Sequence, residues 1–264
     1  MRILGLFFMA MLFLTRPVSA GFVAYNDTAG STGSASNVTY YNGFAGGTLS
    51  GFLMDYSTGS ITSVNASLTA LSAYYQTGNG SMPASGTDAY NIFNGIIDLS
   101  DIASYAPGGS NWSYEVTFTG LDPAKYYDFV TTANRDNSAY GGDGDTSRWT
   151  SFSITGADTF TNSSSSGVTV ITPGVVQMNT GYNTVNGYVI GWTGISAADG
   201  SFTVRSENVG AAGPGDDYKS YGIQGFKLAE AGTVPVAPEP ISSVLFIAGG
   251  AALGFRRLMK KTKN

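Results

Sequence analysis

The chain has 264 residues and neither histidine nor cysteine, which excludes imidazole acid–base chemistry, Ser-His-Asp and Cys-His sites, His-ligated zinc and any disulfide framework. Of its 13 Lys and Arg, two lie in the first 20 residues and five in the last nine, whereas all 18 Asp and Glu fall between Asp27 and Glu239. The body between the ends therefore carries six cations against 18 anions, a field that repels nucleic acid and anionic lipid and removes both from the expected partners.

The chain begins with Met1-Arg2 and an apolar run from Ile3 to Leu14, and reaches the small-residue site Val18-Ser19-Ala20. That order of positive, apolar and small residues predicts a secretory signal over residues 1–20, used by the Sec translocon and cut between Ala20 and Gly21. The apolar run, about 12 residues, is too short to span a bilayer.

The mature body is rich in Gly, Ser, Thr and Asn, with short alternating runs and almost no helical periodicity, so an all-β fold is expected. Phe22–Tyr25 predicts an edge strand, followed by loops over Thr28–Asn37 and Gly43–Gly51. Ser63–Ala70 alternates, with Val64, Ala66, Leu68 and Ala70 on one face and hydroxyl or amide side chains on the other. Gln76–Asp88 is turn-rich, and Tyr90–Leu99 reads as one or two buried strands broken at Gly95. Tyr114, Val116 and Phe118 alternate before Gly120-Leu121-Asp122-Pro123 and Tyr127. That Leu, Pro and Tyr spacing resembles the tyrosine corner of fibronectin-type β-sandwiches, which implies that Tyr127, Phe129 and Thr131 point inward.

A polar loop runs from Arg135 to Arg148. Trp149, Ser151 and Ser153 then alternate with Phe152 and Ile154. Further strands are expected at Val168–Ile171, Gly187–Thr193, Phe202–Arg205 and Tyr221–Leu228, with a Ser-rich turn at Asn162–Gly167 and a tight one at Ala197–Gly200. No Pro-rich linker divides the middle, so a single jelly-roll-like β-sandwich over residues 21–229 is expected, followed by a linker at 230–237.

The C-terminus joins Pro238-Glu239-Pro240, an apolar stretch from Ile241 to Phe255 and a tail holding Arg256, Arg257, Lys260, Lys261 and Lys263. These three parts resemble the PEP-CTERM sorting signal of Gram-negative bacteria. The resemblance implies that residues 238–264 are a sorting segment, with Pro238, Glu239 and Pro240 recognised by an exosortase, a membrane enzyme thought to process such tails. It also implies a transmembrane helix at 241–255 and a cytoplasmic stop at Arg256 and Arg257 within the basic tail 256–264. Cations after an apolar run stay on the cytoplasmic side, which puts the body outside. Fifteen residues make about 22 Å of helix against a hydrocarbon core of about 30 Å, so snorkelling of the flanking cations, or a few more residues in the span, must make up the difference.

The body is also similar to a family of bacterial extracytoplasmic β-sandwiches related to galactose-binding-like jelly rolls. The likeness rests on Pro83–Gly95, the Gly120–Pro123 corner, Asn134-Arg135-Asp136 and Tyr221–Phe226. It implies a glycan-binding, non-catalytic domain.

The residues offer few catalytic sets. Lys125, Lys219 and Lys227 are the only lysines of the body, none in a Ser-x-x-Lys signature, and no carboxylate pair stands out for glycoside hydrolysis. For a ligand, Asn134, Arg135, Asp136 and Arg148 supply polar groups, and Trp149 and Trp192 are candidate sugar platforms, with a place in the core as the alternative for each Trp. No cofactor is expected unless Ca²⁺, which the oxygen ligands of Asp136, Asp143 and Asp145, or of Asp216 and Asp217, would suit. The expectation is a cell-surface or matrix protein that binds extracellular polysaccharide. A structural protein acting through protein contacts and a carboxylate-based glycan hydrolase are the rivals.

Overall fold

A computed structural model of the chain describes residues 21–28, 35–44, 47–105, 111–142, 144–210, 214–216 and 218–233. The expected signal peptide with Ala20, the sorting segment with Pro238, Glu239, Pro240, Arg256 and Arg257, and the candidate ligands Asp143 and Asp217 lie outside the described residues. Among the described residues, no helix is long and apolar enough to cross a membrane.

The strands in chain order are β1 (Val23–Asp27), β2 (Ser50–Met54), β3 (Ile61–Leu71), β4 (Ala73–Gln76), β5 (Ile102–Tyr105), β6 (Ser113–Thr119), β7 (Lys125–Thr132) and β8 (Trp149–Thr155). They continue with β9 (Thr159–Asn162), β10 (Thr169–Thr172), β11 (Val175–Asn179), β12 (Ile190–Ser196), β13 (Phe202–Asn208), β14 (Tyr221–Gly222) and β15 (Gly225–Thr233). One short helix, α1 (Asp88–Phe93), precedes β5. A five-stranded sheet runs β1-β15-β7-β12-β9, a seven-stranded sheet runs β10-β11-β8-β13-β6-β3-β2, and a small sheet runs β14-β5-β4.

The two larger sheets form a β-sandwich because alternate residues of each strand meet in one core. Val64, Ala66 and Leu68 of β3 and Phe152 and Ile154 of β8 face Phe129 of β7 and Phe226 and Leu228 of β15. Phe118 lies at the junction, its ring centroid 4.9 Å from Phe202, 5.2 Å from Phe226 and 5.7 Å from Phe129. Period-two alternation thus predicts the inner faces of these strands correctly.

One segment behaves otherwise. Tyr90–Leu99, expected as strand, begins as α1 and continues as turns. Ala89 and Phe93 are four residues apart, so both fall on one helical face, and both are buried. With Ile97, Leu99, Tyr25 and Val189 they form a second core on the other side of the five-stranded sheet. Asn94 is extended and Gly95 has φ 74°, a left-handed turn that ends the helix.

Other boundaries also move. The strand expected at Gly187–Thr193 starts at Ile190, and Tyr221–Leu228 divides into β14 and β15. β15 runs on to Thr233, so the domain boundary expected at residue 229 falls inside a strand.

The corner between β6 and β7 has the hydrogen bond that its sequence predicts. The Asp122 N–H donates to the Tyr127 hydroxyl at 2.8 Å, and Tyr127, Phe129 and Thr131 are all buried. Gly120 has φ 74°, and a Cβ there would lie 2.4 Å from the Ser63 carbonyl oxygen, so the chain approaches β3 at a distance only glycine allows. Replacing Tyr127 by Phe removes the acceptor and is expected to cost about 1 kcal/mol. Urea unfolding should show a lower midpoint at unchanged slope; an unchanged midpoint would mean that the bond contributes nothing.

The register defines two ends. At one, here the base, Lys125 lies opposite Thr233 and Val23 opposite Ala229; at the other, the crown, Thr132 and Asp27 each lie opposite Gly225. The segment after β7, the start of β8 and the β14-β5-β4 sheet gather at the crown. The crown is separated from the base by the length of β7, about 23 Å for eight residues.

Candidate functional site

The crown site is built from the segment that leaves β7. Asn134 is fully buried, donating through its amide to the Ser81 carbonyl at 2.8 Å and accepting from the Thr184 hydroxyl at 3.2 Å. The Arg135 N–H bonds to the Thr180 carbonyl and the Asp136 N–H to the Asn79 carbonyl, which fixes the backbone from which Arg135 projects. The Asn137 side chain then accepts from the Ala139 N–H and starts a 3₁₀ turn at Ser138–Tyr140.

That turn delivers the Tyr140 ring to both guanidinium groups. The Arg135 guanidinium carbon is 5.3 Å from its centroid and that of Arg148 is 4.5 Å. Arg135 also lies 5.5 Å from the centroid of Tyr221. The result is a series of Tyr221, Arg135, Tyr140 and Arg148, each cation against an aromatic ring, at distances where cation–π attraction is effective.

Hydroxyl groups beneath lock the series to the sandwich. Thr150 of β8 donates to the Tyr221 carbonyl at 2.8 Å, and Thr180 donates to the Arg148 carbonyl at 3.1 Å. The Tyr221 N–H points to both hydroxyls, at 3.3 and 3.2 Å.

The charges are unequally satisfied. Asp216 binds Arg148 at 3.2 Å and Lys219 at 3.0 Å, and its other oxygen accepts from the Tyr218 and Lys219 N–H groups. Burial opposes ionisation of Asp216, but the bond from Lys219, the Tyr218 N–H and the two cations outweigh it and hold its carboxyl below the usual range. Arg135 has no carboxylate within ion-pair distance among the described residues; a guanidinium N–H donates to the Gln76 side-chain oxygen Oε1 at 3.4 Å. Burial pushes the Tyr221 hydroxyl up to about 12, against the opposing charge of Arg135.

Unsatisfied polar atoms collect here. Of ten buried side-chain polar atoms without a hydrogen-bond partner among the described residues, five are Ser104 Oγ, Ser147 Oγ, Arg148 Nε, Ser220 Oγ and Tyr221 Oη. Ser104 lies opposite Tyr221 in the small sheet, and the Ser147 carbonyl accepts from the Asp216 N–H. Buried polar groups in folded proteins are normally paired with protein or with ordered water.

The expected ligand residues are therefore divided. Arg135 and Arg148 meet around Tyr140. Asn134 lies underneath as a structural bridge, and Asp136 is exposed on the rim, accepting from Thr184 at 3.1 Å. Trp149 is half-buried; because Thr150, Phe152 and Ile154 face the core, it belongs with Ser151 and Ser153 on the outward face of the seven-stranded sheet. Trp192 is fully buried, stacked on Phe129 at 6.4 Å, with its indole N–H donating to the Pro173 carbonyl at 3.0 Å. Trp192 is a core residue and offers no platform to a sugar. Trp149 and Trp192 stand on different sheets, on β8 and β12.

For a metal, Asp136 and Asp145 are exposed, and no group of three or more carboxylates among the described residues is placed to hold one. Asp216 is already engaged by two cations. Sequence reasoning missed Tyr140 and Lys219 as parts of the site, named Asp216 only as a metal ligand, and read Tyr221 only as a strand residue. Tyr140 was within reach as the aromatic of the Arg135–Arg148 loop, whereas the others come from a distant segment.

A cleft of about 360 Å³ at the base is lined by Phe22, Asp55, Asp122, Lys125, Tyr127 and Glu230, among others. Its groups are largely used: Lys125 pairs with Glu230, and Asp55 accepts from the Ser57 and Thr58 hydroxyls. The crown is the better candidate. Compared with known proteins, the chain matches no family model, no curated protein and no solved structure.

Proposed function

We propose that the protein is an exported, non-catalytic β-sandwich of the jelly-roll, galactose-binding-like type that holds an extracellular polysaccharide at its crown. The observation that carries this reading is the aromatic–arginine series of Tyr221, Arg135, Tyr140 and Arg148, with unpaired buried hydroxyls around it. Sugar rings bring hydroxyl groups for such donors and acceptors, and C–H faces for aromatic side chains. Export rests on the signal-like residues 1–20 and the PEP-CTERM-like residues 238–264.

The two halves of the reading agree in geometry. β15 reaches Thr233 at the base, so a membrane segment following it would hold the base toward the membrane and turn the crown outward. A transient inner-membrane form, handed from the Sec translocon to an exosortase-type enzyme, would then be released to the cell surface or matrix. Catalysis is no part of this proposal: the crown's series offers charge and aromatic faces to a ligand, and no carboxylate pair stands out for glycoside hydrolysis.

A screen of the purified full chain against polysaccharides, with and without Ca²⁺, tests the proposal. Retention by at least one polysaccharide, with no reducing sugar released, is the expected result. No retention under either condition would overturn it, and sugar release would convert it to a hydrolase. A second reading, assembly through protein contacts, is favoured by the edge strand β10, where Val170 and Ile171 are more than half exposed. Self-association without any glycan affinity would select that reading.

A further inference from the structure

Resting on the polysaccharide reading, we propose that the sugar recognised at the crown is an acidic one, a uronate whose carboxylate is bound by Arg135. The six cations of the body are unequally used. Lys125 is paired with Glu230, Arg205 with Glu115 and Glu207, and Arg148 and Lys219 share Asp216. Arg135 and Lys227 alone have no carboxylate within ion-pair distance among the described residues, and only Arg135 is held at the crown.

Its environment is one that orients a guanidinium without neutralising it. Rings on Tyr140 and Tyr221 lie 5.3 and 5.5 Å from its central carbon. Of the guanidinium's five N–H donors one reaches the Gln76 side-chain oxygen at 3.4 Å, and none meets a carboxylate among the described residues. Those donors form a planar fork that matches a carboxylate, and a fork already fixed by its neighbours loses little freedom when it binds. One uncompensated cation calls for one anion per sugar, which a uronate supplies.

The acidic body opposes this, since its field repels polyanions. Distance decides between the two effects. At physiological salt the Debye length is about 8 Å, so carboxylates toward the base, about 23 Å away, are screened at the crown. A contact ion pair with a partly buried fork is screened far less. The body's charge would slow the approach of a long polyanion without cancelling the local contact. Among the described carboxylates of the crown, Asp216 is engaged by Arg148 and Lys219 and Asp101 accepts from Tyr75 and the Gly78 N–H, whereas Asp136, which accepts from the Thr184 hydroxyl, and Asp145 are exposed and work against the ligand.

The test is calorimetry of the full chain at physiological salt with trigalacturonic acid, its carboxyl-reduced neutral counterpart and a sulfated dextran. Binding of the trigalacturonate is expected, with the reduced sugar at least tenfold weaker. Arg135→Gln should weaken trigalacturonate binding at least tenfold without lowering the thermal midpoint. Arg135→Lys should not restore it, because an ammonium lacks the fork. Lys227→Gln removes an equal charge from β15, where Lys227 lies opposite Val130 and takes no part in the series of rings and guanidinium groups, and should leave affinity unchanged. Equal binding of the neutral sugar, insensitivity to Arg135→Gln, or binding of sulfated dextran alone would each overturn the inference while leaving a glycan-binding crown intact. Failure of every polysaccharide in the wider screen would overturn both.

Discussion

Truncating Phe118 to alanine should destabilise the sandwich by about 4 kcal/mol, the upper part of the range for a buried aromatic. Phe118 is fully buried and touches rings from both sheets: Phe202 of β13 on its own sheet, and Phe129 of β7 and Phe226 of β15 on the facing one. Each of those rings hangs from a strand paired on both sides or held in the sheet by a turn, so the backbone cannot collapse into the space. The lost transfer energy is then joined by a cavity. Domains of this size have a total stability of about 5–15 kcal/mol, so the variant should unfold at a much lower urea concentration while keeping a similar slope. A loss under about 1 kcal/mol would mean that the sheets do not meet at Phe118.

Trp192→Ala should have a comparable effect on stability, about 4 kcal/mol, because it removes the largest type of core side chain. The indole stacks on Phe129, and its N–H closes a hydrogen bond to Pro173 at the turn between β10 and β11, so the substitution also leaves that carbonyl without its partner. Trp149→Ala, on the outward face, should cost far less. At a temperature where the Trp192 variant remains folded, its affinity for the crown's ligand should match that of the parent chain. The opposite pattern, little lost stability and lost binding, would return Trp192 to the role of platform.

The two tryptophans also show what the sequence could resolve. Ile190 precedes Trp192 by two residues, and the pair shares the inward face of β12, whereas Ser151 and Ser153 follow Trp149 and mark an outward face. Period two therefore separates core from surface here, as it does for Val64, Ala66 and Leu68. It fails at α1. Six residues are too few to display a helical period, and the side chains of Ala89 and Phe93 are apolar because a second core covers the far side of the five-stranded sheet. Nothing local reports that cover.

The site was legible to the same partial degree. Arg135 and Arg148 bound one polar loop, so their proximity follows from a short excursion of the chain. Tyr221, Asp216 and Lys219 reach them from a segment about 70 residues later, through a sandwich whose register no single-sequence pattern specifies. The tyrosine corner was readable because all its parts lie within seven residues, from Leu121 to Tyr127.

Hydrogen exchange of the full chain with and without a bound polysaccharide tests the central claim, that the crown is where ligand is held. Slower exchange is predicted at residues 135–142 and 218–222, with the base cleft around Lys125 and Glu230 and the β10–β11 hairpin unchanged. Protection confined to the base, or to the outward face around Trp149 and β11, would contradict it.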